Sequence, residues 1–137
     1  MKVFTQQEFD TFEISEYGCK LCPSGDYSLI KKFDNLCFFD SNCCFSENSI
    51  FGEDCFFGEN CVFDKNCTFK EACGFDKNCT FKEECTFDND CVFEEGCTFG
   101  ENNTFTKGCE FKFSETNTFA KGCTFSEDCY FDNDVNF

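Results

Sequence analysis

From Phe33 onward a phenylalanine returns every six residues, through Phe39, Phe45, Phe51, Phe57 and each sixth position to Phe111. Four residues after each ladder Phe stands a small residue. It is Cys at 37, 43, 55, 61, 67, 73, 79, 85, 91, 97 and 109, with Ser49 and Asn103 in the same phase. The unit therefore reads Cys-x-Phe-x-x-x. In an extended strand alternate residues share a face, so Cys and Phe point inward and the residue between them points out. That outward residue is often β-branched, as at Val62, Thr68, Thr80, Thr86, Val92 and Thr98, which suits a strand. The three polar residues that follow predict a corner. The last of them is often Asn, Asp or Gly, types that tolerate left-handed backbone angles. A second run, Phe113, Phe119, Phe125, Phe131 and Phe137, is offset by two residues, which predicts a bulge at a corner between Phe111 and Thr118.

A short strand and a corner every six residues predict a solenoid whose rungs stack by parallel pairing, since one rung cannot bury its own Phe but a stack buries a continuous column. Segments such as Phe57-Gly58-Glu59-Asn60-Cys61 resemble the hexapeptide repeat of left-handed parallel β-helices. In that family an aliphatic residue is followed by Gly, Asp, Glu or Ala, and a small residue comes four positions after it. The resemblance covers residues 33–137. It implies an all-β, triangular, left-handed β-helix with three rungs, or 18 residues, to a coil: about six coils and roughly 28 Å of length. This chain departs from the family in using Phe where Leu, Ile or Val is usual, and the small Cys beside each Phe compensates for the larger ring. The pentapeptide-repeat β-helix also accepts Phe inside, but its period is five, and no five-residue step persists here.

Residues 1–32 read as an N-terminal cap and residues 33–137 as the repeat array. Thr5 and Glu8 form a capping-box pattern, with Phe4 and Phe9 as a hydrophobic staple, predicting a short helix over 5–12. At the other end Phe125, Phe131 and Phe137 predict a sticky face through which two chains meet end to end as a two-fold dimer.

Phenylalanine occurs 24 times and cysteine 16 times, while His, Arg and Trp are absent. Members of the β-helix family include acyltransferases that use a catalytic His and carbonic anhydrases that hold zinc through three His. Neither chemistry carries over to a chain without His. Cysteine has no His to activate it as a nucleophile, and neither a phosphate-binding glycine loop nor a basic patch is present. The reading is that the chain is not an enzyme and needs no cofactor. The Cys ladder reads as core packing by a small buried hydrophobe, with free thiols, because in-register stacking gives a poor disulfide torsion. Cys19-x-x-Cys22 lies outside the ladder and is a weak candidate metal pair that lacks a second pair. No apolar run is long enough for a signal peptide or a membrane span, which predicts a cytoplasmic protein that does not engage membranes.

The formal net charge is −16, and residues 33–137 carry 22 acidic residues against seven lysines. Asp64, Asp76, Asp88, Asp90, Glu94 and Glu95 fall at corners, where stacking predicts acidic columns. Such a surface repels nucleic acid and attracts basic protein surfaces. In shape and charge it is similar to pentapeptide-repeat proteins that resemble DNA and bind topoisomerases. The expected function is therefore an acidic binding protein that mimics nucleic acid and blocks a DNA- or RNA-binding protein, as in conflict between a mobile element and its host. The alternative is a structural or self-assembly module whose acidity only confers solubility. On a triangular coil the outward residues Phe38, Phe56, Gly74, Val92, Glu110 and Tyr130 share one face, an apolar stripe that predicts either a partner surface or cover by the N-terminal cap. A second face carries Ile50, Thr68, Thr86, Thr104 and Thr124. Ice-binding β-helices use two outward Thr columns, and this face has one.

Overall fold

The computed structural model describes residues 1–132 and shows a triangular parallel β-solenoid of about six turns behind a short N-terminal helix. Each rung contributes a two- or three-residue strand, and strands 18 residues apart pair in parallel, Phe57 on Phe75 and Phe75 on Phe93. Three sheets result. The first holds seven strands, from Lys20–Cys22 through Cys37–Phe39, Phe56–Phe57 and Gly74–Phe75 to Tyr130–Asp132. The second holds five, from Cys44–Phe45 to Thr118–Phe119, and the third six, from Lys32–Phe33 to Thr124–Phe125.

The aromatic core explains why phenylalanine fits a triangular coil. Within a column the rings lie parallel one coil apart: Phe63 and Phe81 are 4.8 Å apart at 4°, Phe69 and Phe87 4.9 Å at 2°. Between columns they meet edge to face, Phe69 and Phe75 at 5.0 Å and 86°. Every ring from Phe51 to Phe111 on the ladder is thus buried with both favoured aromatic geometries satisfied. The corners turn as the sequence predicts. The third residue after each ladder Phe from Phe33 to Phe105 has positive φ, at Asn42, Asn60, Asn66, Asn78, Gly96 and Gly108 among others, but also at Leu36, Ala72 and Glu84, which gain nothing from that conformation.

The two additional residues form a 3-10 turn, Ser114–Thr116, at a corner. Phe111 pairs with Phe93 and the next ladder ring is Phe119 over Phe99, so Phe113 does not open the second run. It sits in the corner with φ of 50°, out of the column. The expected helix is shorter than predicted: α1 spans Gln6–Asp10, with Thr5 as N-cap and a complete capping box to Glu8. It closes the end of the solenoid. Phe9 meets Phe33 edge to face at 5.4 Å, and Phe4 stacks on Tyr27, which in turn stacks on Phe45. The predicted end residue Phe137 lies outside the described residues.

Candidate functional site

The thiols form columns, one at each corner, and they do more than fill space. From Cys55 on they donate to carbonyls left over by the ladder one coil away: Cys55 to Asp34 O at 3.3 Å, Cys73 to Gly52 O at 3.3 Å, Cys79 to Gly58 O at 3.4 Å. Where Asn replaces Cys it also donates to a corner carbonyl, and it accepts an amide N–H from one coil away as well. Asn103 Oδ1 accepts from Cys85 N–H at 2.6 Å and its Nδ2 donates to Gly100 O at 3.0 Å. Asn117 accepts from Cys97 N–H at 2.8 Å. The ladder is therefore a hydrogen-bonding column that meets the demand of buried corner carbonyls for partners. Reading cysteine as a small hydrophobe missed this, although Ser49, Asn103 and Asn117 at Cys positions signal it.

Neighbouring thiols first, and burial second, hold Cys37, Cys79 and Cys91 well above the ordinary thiol range, and Cys43 likewise with Cys61 as its neighbour. Neighbouring thiols push Cys55 and Cys61 the other way, below the ordinary thiol range, with burial opposing and at Cys55 the Asp34 carboxylate opposing too. Neighbouring thiols likewise lower Cys67 and Cys109, so raised and lowered thiols sit together in the columns. All sixteen cysteines are free thiols. Among the described residues no three Cys, Asp or Glu are grouped so as to hold a metal ion. Cys19 is half-buried. Cys22 faces inward, paired with Phe39, at the position a ladder Phe takes in later coils. Lys20 takes the matching Cys position over Cys37. It is buried, donates to Phe9 O at 3.1 Å, lies 3.9 Å over the Phe9 ring and stands 3.5 Å from Asp34. The Cys19-x-x-Cys22 segment thus fastens the cap to the first coil.

Charge is unequal on the three edges. The corners joining the third sheet to the first, which include Asp88 and Asp90, carry eight carboxylates and two lysines over residues 34–36, 52–54, 70–72, 88–90, 106–108 and 126–128. Those joining first to second carry six against two, with Asp76, Glu94 and Glu95 among them. Those joining second to third carry five against three. There cross-coil pairs offset part of the charge, Lys65 with Glu47 and Lys82 with Asp64, each at 3.9 Å. On the first-to-second edge Lys112 pairs with Glu94 at 3.8 Å. The six acidic residues singled out from the sequence are therefore split among three edges. The columns are mixed rather than uniformly acidic, and Asp64 is partly neutralised.

The apolar stripe forms as register requires: Leu21, Phe38, Phe56, Gly74, Val92, Glu110 and Tyr130 follow one another across the first sheet. The cap does not cover it, since Phe38 is 44 % exposed and Tyr130 59 %. A cleft of about 440 Å³ opens among Leu21, Phe38, Phe56, Gly58, Asp40 and Asp76. At the far end Phe125 is partly buried and Phe131 is 42 % exposed. No family model, curated protein or solved structure matches the chain. No helix among the described residues is long and apolar enough to cross a membrane.

Proposed function

We infer that the protein is a non-enzymatic acidic binding protein that occupies the nucleic-acid groove of a DNA- or RNA-binding protein. One observation carries the reading: the linear charge density of the rod. Residues 33–132 hold 21 carboxylates and seven lysines, a net −14. Stacked rings repeat every 4.9 Å. Six coils at that spacing span roughly 28 Å, or about one net charge per 2 Å, close to the value of about 1.7 Å for duplex DNA. The partner is then a protein with a basic surface, and the chain itself contacts neither nucleic acid nor membrane. The hexapeptide step and the three-sided coil support the resemblance to left-handed parallel β-helices, a scaffold on which function resides in the surface rather than the fold.

The second reading, a self-assembly module, is favoured by the exposed Phe131 on the last described coil. Affinity capture from a lysate at low and high salt, with duplex DNA as competitor, separates the two. Recovery of a nucleic-acid-binding protein that both salt and DNA displace supports the mimic, because charge-driven association weakens as salt screens it. Recovery only of further copies of the chain, insensitive to salt and DNA, refutes it and supports end-to-end assembly.

A further inference from the structure

The face of the first sheet combines the two properties a specific partner would read. It is the most apolar of the three faces, and it lies between the two most acidic edges. Its stripe runs Leu21, Phe38, Phe56, Gly74 across neighbouring strands. Phe38 and Phe56 meet edge to face at 4.8 Å. A methyl group on Gly74 would come within 3.2 Å of Phe56 Cδ1, so the Phe56 ring lies against the glycine and the floor beside it is low. The edge next to this floor has carboxylates at Asp40 and Asp76 with Gly58 between them, leaving a gap two coils, or about 10 Å, wide. Asp40 and Asp76 are each fixed by accepting the next residue's N–H, at 2.8 and 2.7 Å, and neither pairs with a lysine among the described residues. An apolar cleft rimmed by fixed carboxylates selects an apolar group flanked by cations, because a bare apolar segment leaves the carboxylates unanswered and a bare basic one leaves the rings wet.

We propose that this face docks a partner segment with one large apolar side chain between arginines or lysines, the apolar side chain entering the cleft and the cations reaching Asp40 and Asp76. The proposal rests on the reading of the rod as a ligand for a basic protein surface, and adds where on the rod specificity resides. The probe is a synthetic peptide, Arg-Arg-Ser-Trp-Ser-Arg-Arg, compared with the same peptide carrying Ser for Trp. Binding of both is measured by fluorescence anisotropy, and the shifted resonances on the intact protein are mapped by NMR. The Trp peptide is expected to bind about tenfold more tightly, with shifts centred on Leu21, Phe38, Phe56 and Gly74. In the Phe38→Thr, Phe56→Thr variant, which places the array's own outward residue at both positions, the two peptides should bind equally. Equal binding to the unaltered protein, or shifts centred on another face, would overturn the docking site while leaving the charged rod intact. Failure of both basic peptides to bind at low salt would overturn the rod reading as well. The NMR map on the unaltered chain decides the matter even if the double variant does not fold.

Discussion

Raising the pH under reducing conditions should unfold the solenoid steeply. Cys37, Cys43, Cys79 and Cys91 are held above the ordinary thiol range by the thiols around them and by burial. In the unfolded chain each ionises near about pH 8.5. A group whose folded pKa is raised stabilises the fold fully below the unfolded value, and that stability drains away as pH climbs above it. Each such thiol then removes about 1.4 kcal/mol per pH unit, so four remove about 5 kcal/mol per unit. Set against a typical domain stability of about 5–15 kcal/mol, the fold should be lost between about pH 9.5 and 11. The assay is urea denaturation followed by far-ultraviolet circular dichroism at stepped pH, with thiolate absorbance recorded on the same samples. Absorbance should rise together with loss of structure. Four further thiolates forming above about pH 8.5 in a chain that stays folded would show that Cys37, Cys43, Cys79 and Cys91 are accessible and not held neutral. Stability increasing between about pH 7 and 8.5 would instead report the lowered thiols, Cys55 and Cys61, ionised in the native state.

Two further outcomes test the corners and columns. Ala72→Gly relieves a left-handed alanine at φ of 63° and should stabilise the chain by about 1 kcal/mol in urea denaturation; Ala72→Val should do the reverse. Asn103→Ala removes the bonds to Cys85 N–H and Gly100 O and should cost about 2 kcal/mol by the same measurement, whereas Asn103→Cys restores the array's usual residue and should stay within about 1 kcal/mol of the parent.

The coil was legible because the inward pair Cys and Phe repeats in strict register, and a parallel stack punishes any slip by turning a buried ring to solvent. Period alone does not say which of two rings beside an insertion keeps the column. Phe111 and Phe113 both look in phase from one side, and only pairing with Phe93 decides for Phe111. Lys20 was illegible for a different reason. A lysine at an inward position reads as a solvated charge until the Phe9 carbonyl and ring are brought over it by the cap. The hydrogen-bonding role of the thiols was recoverable from Ser49, Asn103 and Asn117, since residues that share no hydrophobicity with cysteine share its ability to donate to a backbone carbonyl.

The stripe was visible in the sequence, but its setting was not, because charge at each edge recurs only every 18 residues and is diluted among three edges when read along the chain. Wrapping sorts it. The edge with two cross-coil lysine pairs falls opposite the first sheet, and the two edges with the larger excess of carboxylates flank it. The scaffold makes that arrangement rigid. Rings locked in stacked and edge-to-face contact on every coil leave the corners little freedom, so carboxylates such as Asp40 and Asp76, fixed by the next residue's amide, are ordered before any partner arrives. A flexible acidic tail of equal charge would lose that ordering entropy on binding. A stiff rod does not, which favours the proposed grip by a protein that binds polyanions.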